Sequence, residues 1–313
     1  MILRLILFLV LGLAAAWGAA AIAAEVASRG TKPRGELVDI GGGRKLRLVC
    51  EGPRSAAPVV WMESGAFSGA ADFAAIQQKL TAKGLRSCAY DRAGMGYSDV
   101  GPGPRDGDAI VGDLEKLIAA SGEAGPFVMM GHSMAGLYLR QYALRNPDKV
   151  VGLVLLDAVT PEMIGLDGAQ VFIDRMTDLA RLGAFVGPLK APLYLMGDRI
   201  GLPPAGKAEK RRGFISARQS KAAYAEVLSW RAAAEQAKAA GELKSEWPVA
   251  VITAGPPSER MAGWNEVRHA PARASRAGSI DNVDAASHTT MLGLTHGDRV
   301  VAGVERVLAS AGR

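Results

Sequence analysis

The feature that most constrains the fold is a short turn between an apolar run and an amphipathic segment. Residues 127–130 are all apolar, which is typical of a buried strand, and residues 134–144 have helical spacing that ends before Asn146 and Pro147. The turn between them, over residues 131–136, reads GHSMAG. Because a strand followed directly by a helix is the repeating unit of a parallel sheet, this segment predicts an α/β fold.

The same alternation runs along most of the chain. We predict strands over residues 37–40, 46–50, 59–62, 87–90, 127–130, 150–156, 249–253 and 280–283. Helical spacing recurs over residues 73–82, 109–120, 134–144 and 299–309. The expected architecture is a mostly parallel, eight-stranded sheet with helices on both faces.

The alternation divides the chain into two core parts and an insertion. Residues 36–160 and 247–313 carry the strand–helix alternation, whereas residues 161–246 read as helices, with 193–196 as one possible strand. We therefore expect a helical cap inserted between two parts of one core. The composition allows such a core, since 49% of the residues are hydrophobic.

The first residues form a separate unit. Arg4 is followed by twenty uncharged residues, 5–24. Residues 1–24 are either a signal peptide, with Ala21 and Ala23 as a small-x-small cleavage site, or an N-terminal membrane anchor. Residues 25–35 read as a linker. Both interpretations place the folded part outside the cytoplasm, as a periplasmic or secreted protein that residues 5–24 anchor if they are not cleaved.

The charge pattern argues against a nucleic-acid partner. The net charge is +6, from 37 basic and 31 acidic residues. The densest basic run, residues 207–212, is interrupted by Ala208 and Glu209, and no aromatic residues interleave with it. We interpret it as a solvated surface segment.

Ser133 lies at the centre of the GHSMAG turn. A sharp strand-to-helix turn exposes a serine hydroxyl at the carboxyl edge of a sheet, and the helix N-terminus favours developing negative charge. Small neighbours are needed there; Gly131 supplies one, and Ala135 stands where the usual pattern has glycine. The alternative is a serine that only caps the helix.

Three stretches resemble the α/β-hydrolase-fold family, in its serine esterase and lipase branch, over a region from residue 35 to the end of the chain. They are ESGAF (63–67) after the third strand, DRAGMGYS (91–98) after the fourth, and GHSMAG after the fifth. Ser64 replaces a histidine that is common in the family. The resemblance implies that Ser133 is a nucleophile and that the backbone N–H groups of Ala66 and Met134 form an oxyanion hole. Gly94 and Gly96 do not form a dinucleotide fingerprint.

A serine nucleophile needs a base, and the chain has four histidines. His288 follows the last predicted strand and precedes the last helix, where the family keeps its catalytic histidine, and His296 is the alternative. We interpret His132 as a packing residue whose side chain points away from the nucleophile. His269 lies in a polar stretch and reads as a surface residue.

The acid of the triad stays open between two carboxylates. The family commonly places it after the seventh strand, where Glu259 is the carboxylate nearest the expected position. Some members use an aspartate after the sixth strand, where Asp157 follows residues 150–156. We favour Asp157.

The two cysteines fall on predicted strands. In the family's strand order, the strands that carry Cys50 and Cys88 are antiparallel neighbours, which implies a disulfide. An extracytoplasmic location would allow the oxidation. Two buried thiols are the alternative.

These patterns predict a serine hydrolase that cleaves carboxylic esters through an acyl-enzyme, with a small acyl ester as substrate and no cofactor or metal. The alternatives are an aminopeptidase or amidase with the same triad, and a non-catalytic ligand-binding protein of the same fold. The resemblance also implies that a serine nucleophile excludes the dehalogenase and epoxide-hydrolase branches, which use aspartate. Five aromatic residues either line the substrate pocket or pack the cap on the core: Phe172, Phe185, Phe214, Tyr224 and Trp230.

Overall fold

The computed structural model describes residues 1–257 and 259–312. The strands are β1 (Glu36–Asp39), β2 (Lys45–Glu51), β3 (Val59–Glu63), β4 (Ser87–Tyr90), β5 (Phe127–His132), β6 (Val150–Leu156), β7 (Val249–Ala254) and β8 (Ser279–Val283). The helices are α1 (Ile2–Arg29), α2 (Ala74–Ala82), α3 (Gly107–Ala120), α4 (Ala135–Arg145), α5 (Ala169–Val186), α6 (Pro204–Ile215), α7 (Ala217–Leu228), α8 (Trp230–Ala239), α9 (Glu259–Ala274) and α10 (Gly297–Ala311).

The strands form one eight-stranded sheet in the order β1-β2-β4-β3-β5-β6-β7-β8. Strand β2 runs antiparallel to β1 and β4, and every other neighbouring pair is parallel. The predicted fold class, a mostly parallel eight-stranded α/β sheet, is confirmed. Parallel strands are joined through crossover helices, and those helices cover the faces of the sheet.

Alternation along the central strands divides the core between the two faces. In β3, Trp61 lies in the cluster with α3, α4 and α8, and its ring is 5.7 Å from that of Phe127. Val60 and Met62 point to the other face, in the cluster that includes Val304 of α10. All of these side chains are buried, and burying each contributes roughly 1.5–3 kcal/mol.

The insertion between β6 and β7 is helical, with α5 to α8 as its main elements. The possible strand over residues 193–196 is wrong: these residues belong to a 3₁₀ segment, Gly187–Met196. Strands β6 and β7 pair directly with each other, so a strand of the insertion has no place between them. The Pro192 nitrogen also cannot donate a ladder hydrogen bond.

Helix α9 is the one long element of the core that the sequence patterns did not predict. It follows β7 and packs against it, with Ala272 buried and Trp264 and Val267 partly buried against the core. Charged residues and Pro271 hide the apolar spacing of this stretch in the sequence. Its position matters because α9 reaches the edge of the sheet where the candidate site lies.

A disulfide joins Cys50 and Cys88. The two residues are directly opposite in the antiparallel pairing of β2 and β4, with their Cα atoms 4.1 Å apart. The bond therefore links two neighbouring strands that lie 38 residues apart in the chain.

Helix α1 has 28 residues and continues to Arg29, into the stretch expected to be a linker. Its segment Ile2–Ser28, with a mean hydropathy of 2.5, is long and apolar enough to cross a membrane. Most of its large apolar side chains are exposed. The indole of Trp17 donates a hydrogen bond to the carbonyl of Leu189 in the cap, at 2.7 Å.

Candidate active site

Ser133 lies directly after β5, before the first residue of α4. Its φ is +57°, a left-handed conformation that costs a non-glycine residue about 1–3 kcal/mol. Two backbone bonds hold it there: the Ser133 N–H donates to Leu156 at 3.0 Å, and its carbonyl accepts from Val159 at 2.8 Å. The strained turn is thus secured by β6 and the loop that follows it.

The turn tolerates only small neighbours. A Cβ on Gly131 would lie 2.7 Å from the Leu139 side chain, and one on Gly136 would lie 2.3 Å from the Val159 carbonyl. Ala135, the departure from the usual glycine, is fully buried, and its methyl group fits. The close approach of helix to strand therefore rests on the two glycines.

Asp157 and His288 meet although 131 residues separate them. Asp157 follows β6, and His288 lies in the loop between β8 and α10. The His288 Nδ1–H donates to Asp157 Oδ2 at 2.5 Å. Because His132 and Leu156 pair across β5 and β6, the residues that follow them, Ser133 and Asp157, lie side by side at the carboxyl edge.

The other expected candidates are placed differently. His296 is the N-cap residue of α10. In the described part of the chain, no hydrogen bond or ion pair joins it to Asp157. Glu259 begins α9, but its side chain lies outside the described residues. No hydrogen bond joins the Ser133 hydroxyl to His288 in the part of the chain that the structure describes. Such bonds are often long in unliganded enzymes and shorten on substrate binding.

His132 is buried, as expected of a packing residue, but its side chain also contacts the expected base. Its ring centroid lies 4.5 Å from that of His288, and its Nε2–H donates to the His288 carbonyl at 2.8 Å. Burial, with a smaller contribution from His288, lowers the pKa of His132 to about 3. A neutral His132 thus holds the backbone of the His288 loop without adding a second positive charge.

Arg268 was missed by the sequence patterns, together with α9. Its Nη1 lies 2.9 Å from Asp157 Oδ1, on the opposite oxygen from His288. Burial alone raises the pKa of Asp157, but His288 and Arg268 outweigh it and hold the pKa below its usual value. His269, next to Arg268, is partly buried rather than on the surface, and burial lowers its pKa. Helix α9 therefore supplies a cation, Arg268, that keeps Asp157 ionised.

The two expected oxyanion donors lie on either side of Ser133. Met134 follows it in sequence, and Ala66 lies in the loop after β3. That loop approaches closely, since a Cβ on Gly65 would be 2.9 Å from the Ser133 Cβ. In the described part of the chain, neither the Met134 N–H nor the Ala66 N–H donates to another protein group. Both groups are free to bind a developing oxyanion.

Arg92 holds the loop that carries Ala66. Its buried guanidinium donates to the backbone carbonyls of Ser64 at 2.5 Å and Gly65 at 2.8 Å. It also pairs with Glu63 at 2.6 Å and with Glu226 of α7 at 2.7 Å. Burial alone lowers the pKa of Arg92, but the two carboxylates outweigh it and raise the pKa well above its usual value. A permanent cation thus ties the loop after β3, which carries Ala66, to the cap.

The aromatic residues expected at the pocket divide into three groups. Phe172 lines a cavity of about 420 Å³ together with Arg268, whose guanidinium pairs with Asp157, and with Trp264, which is not one of the five. Trp230 is buried, and Tyr224 packs against the core. Phe185 is 87% exposed and Phe214 is also exposed. Of the five aromatic residues expected at the pocket, all of which the structure describes, only Phe172 lines the cavity beside Arg268.

Comparison with known proteins agrees with this architecture. Residues 58–181 match the sequence model of a family described as the α/β-hydrolase fold. An uncharacterised protein of Schizosaccharomyces pombe is 28% identical over 224 residues, which is 69% of this chain but 40% of that relative. The matched part of the chain thus spans less than half of that relative's length.

Two solved structures share the fold over nearly their whole length. A thermophilic esterase from Thermogutta terrifontis has a TM-score of 0.63 and 20% identity, covering 90% of this chain and 99% of the other. An epoxide hydrolase from Vigna radiata has a TM-score of 0.63 and 16% identity, covering 88% and 98%. The strand order, the matched family model and these structures together show that the chain is a protein of the α/β-hydrolase fold.

Proposed function

We propose that this protein is a serine hydrolase that cleaves carboxylic esters through an acyl-enzyme. The observation that carries the proposal is the hydrogen bond between His288 and Asp157 beside a strained Ser133. An acid that orients a histidine next to a serine is the arrangement that activates a hydroxyl. Strain at Ser133 adds support, because such conformations cluster at functional sites.

The first half of the reaction transfers the acyl group to the enzyme. His288 Nε2 accepts the proton of Ser133 as the hydroxyl oxygen attacks the ester carbonyl carbon. Asp157 holds the imidazole in the tautomer with Nδ1–H and stabilises the imidazolium that forms. His288 then returns the proton to the leaving alkoxide, and the alcohol departs.

Water completes the cycle by the reverse sequence. His288 takes a proton from the water as its oxygen attacks the acyl carbon, and then protonates Ser133 as the acid product leaves. In both halves the oxyanion accepts hydrogen bonds from the N–H groups of Met134 and Ala66, each worth roughly 3 kcal/mol of barrier. By holding the Ser64 and Gly65 carbonyls, Arg92 sets the direction of the Ala66 N–H.

The proposal is tested with p-nitrophenyl acetate and a fluorophosphonate probe. Wild-type protein is expected to hydrolyse the ester and to be labelled by the probe, and Ser133→Ala is expected to lose both. Ser68→Ala is a matched control, since Ser68 follows the oxyanion loop and its hydroxyl bonds only to the Ala66 carbonyl among the described residues. Labelling that survives in Ser133→Ala would overturn the nucleophile assignment.

We also propose that α1 stays attached and anchors the protein to a membrane, with the folded part outside the cytoplasm. The exposed apolar surface of α1 and the disulfide between Cys50 and Cys88 support this location. Full-length protein is expected to remain with the membrane fraction in alkaline carbonate. Recovery in the soluble fraction, with residues 1–24 absent, would support the signal-peptide alternative instead.

A further inference from the structure

The cap carries an apolar segment at residues 183–197, which comprises the end of α5 and the 3₁₀ segment before α6. Lys190 is its only charged residue. Among its described side chains, Phe185 is 87% exposed, Leu189 65% and Met196 49%. A cluster of large exposed apolar side chains of this kind marks an interaction surface, because it is costly to leave in water.

The end of α5 extends the same surface. Leu179 and Leu182 are each 57% exposed and are three residues apart, so they lie on one side of the helix. The apolar surface therefore covers the last two turns of α5 and continues into the 3₁₀ segment. We call residues 179–197 the apolar cap segment.

The side chain of Lys190, the one lysine of the segment, points toward the rest of the cap. The Lys190 ammonium donates to the Ser220 hydroxyl of α7 and lies 5.6 Å from the centre of the Phe214 ring. The cap itself therefore supplies the contacts of the Lys190 ammonium. Apart from Arg181, which is exposed at the α5 end, the outward side of the described part of the segment keeps its apolar character.

The apolar cap segment touches α1. Trp17 donates to the Leu189 carbonyl, and a small cluster joins Ala24 of α1 to Ala191 and Ile215. The Trp17 indole N–H and the Leu189 carbonyl satisfy each other, as polar groups must where water is absent. The segment and the candidate membrane helix thus form one continuous apolar surface.

The position of the contact between Trp17 and Leu189 along α1 determines how deep this contact lies in a bilayer. Trp17 lies about 16 Å along the helix axis from Ser28, at 1.5 Å per residue. The hydrocarbon layer of a bilayer is about 30 Å thick. Whatever touches Trp17 therefore lies inside that layer when α1 crosses it.

We infer that the apolar cap segment, residues 179–197, is embedded in the lipid bilayer beside α1. The occupant of this surface is lipid hydrocarbon, and the cap is a second membrane-inserted element of the protein. The inference rests on the anchoring role proposed for α1 and does not depend on the proposed chemistry at Ser133.

Charges near the end of α1 fit the same placement. A groove of about 770 Å³ between α1 and the cap is lined by Arg212 and Arg218 together with Ile22, Glu25 and Ser28. These residues lie at the end of α1 that leaves the bilayer, at the level of the phosphate groups. Arginines are favourable there because a guanidinium group forms charge-assisted hydrogen bonds with lipid phosphate groups.

The test uses full-length protein in phosphatidylcholine vesicles, with the native disulfide intact. Phe185→Cys and Leu182→Cys are each labelled with an environment-sensitive NBD fluorophore. Ile280→Cys is the matched control, since Ile280 is 45% exposed and lies on β8, at the opposite edge of the sheet from β1. All three sites are exposed, so the fold is expected to survive, and circular dichroism verifies it.

Doxyl-labelled lipids are then added to the vesicles. Emission from residues 185 and 182 is expected to shift to the blue and to fall by at least about half, because both labels would lie within the hydrocarbon layer. Emission from residue 280 is expected to stay unchanged. A blue shift without lipid quenching would mean that a second protein copy covers the segment, and that result overturns the inference. Spectra at 185 and 182 that match the control would overturn it as well.

Discussion

Replacing Asp157 with asparagine separates the two candidate acids in one step. Asparagine has almost the same shape as aspartate but no charge. In the wild-type protein Asp157 Oδ2 accepts from His288 at 2.5 Å, and Oδ1 pairs with Arg268 at 2.9 Å. The substitution therefore removes the counter-charge and replaces one of the two acceptor oxygens with an NH2 donor, while the strand ends stay in place.

The expected decrease in kcat can be worked out from these contacts. Two unit charges about 4 Å apart attract by about 4 kcal/mol at an effective dielectric constant of about 20. Losing this stabilisation of the imidazolium slows the reaction by roughly 10³-fold, at 1.36 kcal/mol per factor of ten. Arg268 then faces the imidazolium without its partner, and the histidine also loses its preferred tautomer, an effect worth about 10⁴-fold in serine proteases. We expect kcat to fall by roughly 10³- to 10⁴-fold.

The assay is steady-state hydrolysis of p-nitrophenyl acetate, with thermal unfolding measured on the same samples. Glu259→Gln is the matched control, because Glu259 is the alternative acid, and it is expected to keep wild-type kcat. If Asp157→Asn stays within about tenfold of wild type while Glu259→Gln loses activity, the assignment of the acid is refuted.

Three further outcomes are expected. Arg92→Lys should lower kcat by about 10- to 100-fold, because one ammonium cannot hold both oxyanion-loop carbonyls; a kcat within about twofold of wild type would contradict this positioning role. The double variant Cys50→Ala/Cys88→Ala should lose about 4 kcal/mol of unfolding free energy for a loop of 38 residues, measured in denaturant without reductant; an unchanged midpoint would count against a stabilising disulfide. The depressed pKa of Asp157 contributes stability above its unfolded value of about 3.9, and this is lost as the pH falls through the lower folded pKa. The free energies of unfolding of wild type and Asp157→Asn should therefore begin to converge as the pH falls below about 4 and meet below the folded pKa, and a gap that does not narrow over this range would refute the linkage.

The local patterns were enough to predict the sheet. Strand-length apolar runs and helical spacing are properties of adjacent residues, so the eight strands and the turn around Ser133 could be read in chain order. Apolar spacing failed to predict α9, where Arg268 and other charged residues interrupt it. It also failed for residues 193–196, which belong to a 3₁₀ segment despite their strand-like composition.

The arrangement around the site depends on pairs of residues that are far apart in the chain. Asp157 meets His288 across 131 residues, and Arg92 meets Glu226 across 134. Nothing in the local sequence distinguishes Asp157 from Glu259 as the residue that faces His288, since both follow strands at the same edge. Only the packing of α9 and the loop after β8 brings Arg268 and His288 to opposite oxygens of Asp157.

By itself, the sequence determined that this chain forms an α/β sheet with a serine on a tight strand-to-helix turn, because apolar periodicity and small residues act locally. The tertiary structure decided which carboxylate faces the histidine, that neutral His132 supports the His288 loop, and that Arg92 links the loop after β3 to the cap. Those contacts form only when distant segments share one buried edge, where low dielectric makes each charge depend on its partner.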